Sequence, residues 1–406
     1  MKPSKKIMRL WLGQLMLLLS SFAGYGQSDH YLSGRACMDA GKFDSAIHHL
    51  EMALEQDPGS TELHYQLGLA YFNTQRYPDA RDAFYNTELR RKGMGSFYLA
   101  KSEVKLNHPQ QALKFLRIHL SSRYKKPESE ILLDEDISTL QSSQGWQLLW
   151  NEKRWYNSRD QAFQEAMYLK KQGEYLEAIN QLNALEKQGY KKSVVLTEKA
   201  SIYEELGNVK AARSALKSAV KSDARNLDAL QSLAIIQVSE GDYEEAVEGL
   251  NLLLRLDPAR FDAYMQRAEA LSETGDLNGA LSDMELYLDY FPEDDSAFYR
   301  KGLIQFQHGS YLNAIQSFNK SLALNSGKAA YYFARGRTYA VTGTTRYAVK
   351  DMSMALDLDP LNGEIWYEKA KLAEALGSME SACHCYRKAF QYGIFEAGEL
   401  INMKCQ

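Results

Sequence analysis

The stretches GDYEEAVEGLNLLLRLDP (Gly241–Pro258) and GDLNGALSDMELYLDYFP (Gly275–Pro292) decide the fold. Each opens on Gly-Asp, places Ala five residues after the Gly and closes on Pro, and the second follows the first by 34 residues. Worked outward, the alanines continue without a slip as Ala178, Ala212, Ala246, Ala280, Ala314, Ala348 and Ala382, and the glycines as Gly173, Gly207, Gly241, Gly275, Gly309, Gly343 and Gly377. A fixed period in this range marks stacked supersecondary units, none of which can bury its apolar face alone. With the ladder alanine numbered 20, the pattern reaches back to Ala46, Ala80 and Ala112 and gives ten units. Position 8 then holds only Gly or Ala, from Gly34 and Gly68 through Gly302 and Gly336 to Ala370, as closely crossing helices require. In the sixth unit, Leu230, Leu233, Ala234 and Val238 give a helix over 227–240. Gly241 and Asp242 break it, a second helix follows over about 243–256, and Asp257-Pro258 stops that one. Pro58, Pro292 and Pro360 fall at the same phase as Pro258, so each unit reads as a helix pair closed by a helix breaker.

This pattern resembles the tetratricopeptide repeat (TPR) family, which carries large apolar residues at positions 4, 7, 11 and 24, Gly or Ala at 8, Ala at 20 and 27, and Pro at 32. Matches include Leu67, Gly68, Tyr71, Ala80 and Phe84 in the second unit. Tyr332, Gly336, Tyr339, Ala348, Ala355 and Pro360 match in the ninth, and Trp366, Ala370, Ala382 and Ala389 in the tenth. Cys37 and Gln305 depart from the family at position 11, and Leu253 and Tyr287 at position 27. The resemblance implies an all-α, right-handed α-solenoid of about ten 34-residue helix-turn-helix repeats. The phase breaks once, giving repeats 1–3 over 27–126, a non-repeat helical connector over 127–158, repeats 4–10 over 159–396 and a short cap over 397–406. The connector holds Trp146, Trp150 and Trp155, three of the chain's five tryptophans, which is a payload that flexible linkers lack. Two readings stay open for it: a segment packed over the third repeat, or an exposed aromatic platform.

The first 26 residues place Lys2, Lys5, Lys6 and Arg9 before an apolar run from Leu10 to Ala23, followed by Gly24 and Gly26. This is the pattern of a secretory signal peptide cleaved between Gly26 and Gln27. The other reading is an uncleaved anchor, although 14 residues interrupted by Gly13 and Gln14 fall short of the roughly 20 that a spanning helix needs. With 48 Lys plus Arg against 52 Asp plus Glu, the chain has no electrostatic footprint for nucleic acid, and none is expected as a partner.

No constellation for catalysis, metal or cofactor emerges. Ser102 with Lys105 and Ser214 with Lys217 are a chance spacing on helix surfaces, and the adjacent His48 and His49 point about 100° apart. On a helix Cys383 and Cys385 diverge by about 200° and cannot share an ion or bond each other. If the chain turns at Tyr392-Gly393 and a short helix over about 395–404 runs back, Cys405 reaches Cys383 or Cys385. The alternatives are a disulfide from Cys405 to one of them, or reduced, buried thiols. Leu400, Ile401 and Met403 would then cap part of the last repeat; if that cover fails, self-association through the C-terminal end follows.

The resemblance further implies that the first helices line a concave groove, with positions 5, 9 and 12 facing it. In this chain those positions give Met265, Tyr299, Phe333 and Tyr367 as an apolar row, flanked by Leu303, Phe306, Arg337 and Lys371. The same residues could instead be inner-wall core. The family's cluster of basic residues that clamps a terminal carboxylate looks absent. The expectation is a non-enzymatic protein–protein scaffold or adaptor that takes partner segments in this groove, without cofactor or metal. The alternative is an accessory factor that binds clients transiently during assembly or secretion of outer-membrane or surface proteins. The signal peptide and bare repeat array resemble those of Gram-negative envelope proteins, which implies the periplasm.

Overall fold

Seven ladder glycines, from Gly173 to Gly377, adopt φ of 68° to 88°, and each sits where a first helix ends. That left-handed conformation is nearly free for Gly and strained for any residue with a Cβ, so the glycines set where one helix stops and the next begins. The structure, a computed structural model, describes residues 29–152 and 155–405. The expected signal peptide at 1–26 lies outside the described residues.

The chain divides into two compact units, Met1–Ala229 and Leu230–Gln406. In the first, helix pairs run as α1 (29–39) with α2 (Phe43–Gln56), α3 (Thr61–Asn73) with α4 (Tyr77–Arg90), and α5 (Ser96–Lys105) with α6 (Pro109–Leu120). The connector follows as α7 (Glu128–Leu132), a 3-10 turn (Ile137–Leu140) and α8 (Gln144–Glu152). Then come α9 (Ser158–Gln172) with α10 (Tyr175–Lys187) and α11 (Lys192–Glu205) with α12 (Val209–Ser222). The division itself falls inside α13 (Leu227–Glu240), in the sixth repeat, rather than at the connector. The second unit continues with α14 (Tyr243–Leu256), α15 (Phe261–Glu273), α16 (Leu277–Tyr290), α17 (Asp295–Gln307) and α18 (Tyr311–Leu324). It ends with α19 (Ala329–Val341), α20 (Thr345–Leu358), α21 (Gly363–Ala375), α22 (Met379–Gln391) and α23 (Glu396–Lys404). No strand occurs among the described residues, and the protein is an all-α helical-repeat solenoid.

Close helix crossing explains the small residue at position 8. A Cβ placed on Gly68 would stand 2.7 Å from the Phe84 ring, and one on Gly302 would stand 2.5 Å from the Phe318 ring. The large position-24 side chain of the second helix therefore fills the space that position 8 of the first leaves empty. The seven ladder alanines from Ala178 to Ala382 are fully buried beside these crossings. Where the chain departs from the family pattern, the substitutes are still built in. Gln305 is buried and accepts a hydrogen bond from the Ser317 hydroxyl at 2.7 Å, while Leu253 and Tyr287 are also buried.

The connector packs. Trp146 and Trp155 are buried with Ile131, Ile137 and Leu149 in one apolar cluster with repeats 1–3, and Trp150 stacks on Trp146 at 4.7 Å. Lys101 of α5 pairs with Asp134 at 2.7 Å and Asp136 at 3.2 Å. On the other side the Tyr156 hydroxyl donates to the Lys126 carbonyl at 2.7 Å, and the Glu128 amide donates to Gln164 of α9 at 3.1 Å.

At the C-terminus α23 lies on α22. Ala397 is buried, and Leu400 and Ile401 pack against Cys385, Tyr386 and Ala389. Cys383 is bonded to Cys405 with their Cα atoms 5.5 Å apart, whereas Cys385 is a buried free thiol whose pKa burial raises. Met403, expected in the cap, is 67% exposed.

Candidate partner-binding site

The row implied by the family resemblance lies on the first helices α15, α17, α19 and α21, and successive members of that set from α17 onward touch one another. Its eight residues fall into three groups. Met265, Tyr299 and Leu303 line one cleft of about 490 Å³ together with Glu269, Arg300 and Tyr331. Tyr299 is half-buried, its ring 4.7 Å from that of Tyr331 and 5.9 Å from that of Phe318. The Tyr331 hydroxyl is fixed by donating to Asp295 at 2.7 Å, which holds the floor of the cleft rigid. Burial raises the Tyr299 phenol pKa above its ordinary value, and the positive charge of Arg337 draws it back down.

Phe306, Phe333 and Arg337 form the second group. The Arg337 guanidinium carbon lies 5.8 Å from the Phe306 ring centroid and 5.7 Å from that of Phe333, so the exposed cation is flanked by two half-buried rings. Tyr367 and Lys371 are the third. The Lys371 ammonium lies 5.0 Å from the Tyr367 ring and pairs with Glu368 at 2.6 Å, while Tyr367 packs edge-on against Tyr386. Position 5 is thus half-buried at Met265, Tyr299, Phe333 and Tyr367, part wall and part surface.

Two features of the site are not announced by positions 5, 9 and 12. Tyr331 and Lys328 reach the cleft from the start of α19, where phase alone does not place them. Behind the wall, Arg267 grips buried Asp283 through two nitrogens at 2.6 and 2.7 Å and Asn251 of the preceding repeat at 2.7 Å. Arg335 repeats this with Asp351 at 2.7 and 2.8 Å and Asn319 at 2.6 Å. The signal is in the sequence: each member of the second triad stands 68 residues, two repeats, after its counterpart in the first.

No group of three or more His, Cys, Asp or Glu suited to a metal occurs among the described residues. No helix among them is long and apolar enough to cross a membrane.

Family models described as tetratricopeptide repeat match residues 31–96 and 265–329, 203–271, and 363–392, together more than half of the chain. Mouse serine/threonine-protein phosphatase 5 is 33% identical over 81 residues, 20% of this chain, and the chain spans 16% of that protein's length. Among solved structures, a tetratricopeptide repeat protein from Parabacteroides merdae superposes with a TM-score of 0.50 at 18% identity, covering 61% of this chain and 99% of that one. The C-terminal part of a TPR repeat-containing protein from Cytophaga hutchinsonii gives 0.47 at 21% identity over 57% and 95%.

Proposed function

The chain belongs to the tetratricopeptide repeat family, a fold of protein–protein interaction scaffolds, and from that premise we propose that it is a non-enzymatic adaptor of the cell envelope. It holds an extended partner segment against the first helices of repeats 7 to 9. One observation carries this reading: the cleft of about 490 Å³ is walled by Met265, Tyr299, Leu303 and Tyr331, apolar or ring-bearing side chains set among charges. Anchors of this kind, desolvated on binding and rimmed by polar groups, supply most of the energy of peptide recognition. The envelope assignment rests on the signal-peptide pattern at 1–26.

Leu303 is 41% exposed at the cleft, which makes it a reporter. A photo-reactive phenylalanine placed at 303 in the full chain, in its native cells, is expected to capture a discrete set of proteins. The same group at Leu312, which is 75% exposed on α18, is expected not to capture them. Equal capture from both positions would move the site off this face. Mass analysis of the chain isolated from the periplasmic fraction checks location, since residence there requires the chain to leave the cytoplasm.

A further inference from the structure

We infer that the segment held on this face carries an internal Asp or Glu side chain received by Arg337, next to a large apolar side chain seated in the Tyr299 cleft. The inference rests on the adaptor reading and adds the chemistry of the occupant.

The argument starts from the surroundings of Arg337. The rings of Phe306 and Phe333 flank its guanidinium at 5.8 and 5.7 Å, a cation–π arrangement that fixes the group without using up its five N–H donors. Exposed arginines on helices commonly meet a carboxylate of their own chain. Here three acids of this face are engaged elsewhere: Glu269 with Arg300 at 3.2 Å, Glu368 with Lys371 at 2.6 Å, and Glu374 with Lys404. No carboxylate of the described residues lies within ion-pair distance of Arg337. A guanidinium held by rings, with free edge donors, is the geometry that receives a carboxylate through two parallel hydrogen bonds. The neighbouring rings also lower the local dielectric, which strengthens such a pair.

Charge order then gives the occupant a direction. On the α15 side of the cleft Glu273 repels an acid, and the cleft's own cations Arg300 and Lys328 are already taken by Glu269 at 3.2 Å and Asp295 at 3.6 Å, whereas Arg337 stands on α19, on the other side of α17. The cleft itself is apolar where Met265, Leu303 and Tyr299 meet, and it suits a Phe, Leu or Met side chain. The occupant therefore runs with its apolar anchor toward repeat 8 and its acid toward repeat 9.

The test uses the full chain and a library of fluorescent decapeptides. Each has one fixed Phe or Leu, and at spacings of one to four residues on either side it carries Glu, Gln, Lys or phosphoserine. Binding is read by fluorescence polarisation. At the preferred spacing the Glu peptide is expected to bind about tenfold tighter than its Gln twin, the worth of one charge-assisted hydrogen-bonded contact. Arg337→Gln should bring the Glu peptide down to the level of its Gln twin without weakening the Gln peptide. Tyr299→Ala should weaken both together. Equal binding of Glu and Gln peptides to the native chain, or an Arg337→Gln loss shared by every peptide, overturns the carboxylate and leaves the cleft standing. Preference for phosphoserine over Glu at every spacing overturns it in favour of a phosphate. Failure of all peptides to bind overturns the cleft reading and this inference with it.

Discussion

Arg335 shows what a single side chain contributes when it is set between repeats. Asp351 is 3% exposed, and its charge is tolerated because Arg335 meets both of its oxygens. Removing one partner of such a pair leaves an uncompensated buried charge, whereas removing both restores a neutral interior. Arg335→Met is therefore expected to lower stability by about 3 kcal/mol in urea titration, and the double change Arg335→Met with Asp351→Leu to recover most of it. His119 gives a second residue-scale prediction. Its ring is buried, its Nε2 accepts the Lys126 amide at 3.0 Å, and burial with the nearby Lys126 and Lys125 charges holds its pKa down to about 4. Protonation breaks the accepted hydrogen bond, so the unfolded chain binds the proton more readily. Stability from this group is complete above pH 6.5 and is lost as pH falls from there toward 4. His119→Gln is expected to flatten that part of the stability-against-pH curve, followed by thermal melts between pH 4 and 7.

At the scale of the element, the connector decides how repeats 1–3 end. Trp146 and Trp155 close the face that a fourth stacked repeat would otherwise cover. Trp146→Ala removes a buried ring and its stacking on Trp150, at an expected cost of about 3–5 kcal/mol. The same variant should become cleavable near Ser142 and Ser143 under limited proteolysis, at sites where the native chain is expected to resist. Much at this scale was legible beforehand. The helices expected over 227–240 and 243–256 are α13 and α14, because Gly241 can take the left-handed turn and Pro258 cannot continue a helix. The connector's tryptophans signalled payload, but whether they pack depends on Ile131, Ile137 and Lys101 meeting them from other segments, which no local pattern encodes. At the candidate site, the family resemblance put Tyr299, Leu303 and Arg337 on the first helices α17 and α19, where they lie. It did not foretell the cleft, whose floor is Tyr331, since a concavity is made by side chains of neighbouring repeats together. Nor did helix geometry choose between the two cysteines open to Cys405; the return path of α23 selects Cys383.

Across the molecule, repeat proteins spread stability through neighbours, so a local loss stays local. Cys405→Ser opens a loop of 22 residues and is expected to cost about 3 kcal/mol, confined to the last repeat and its cap. Hydrogen exchange should quicken in α21, α22 and α23 while α15 and α16 keep their protection; uniform acceleration would contradict that localisation. The paired triads reach further than stability. Arg267 takes Asn251 from the repeat before it and Arg335 takes Asn319, whereas in the intervening repeat Lys301 takes Glu285. Excising repeats 7 and 8 together would present Arg335 to Asn251, its own kind of partner. Excising repeat 7 alone would hand Lys301 an amide in place of its carboxylate. Repeats 6 to 9 can thus be spliced in twos and resist splicing in ones, which makes the length of this stretch a quantity counted in steps of 68 residues rather than 34.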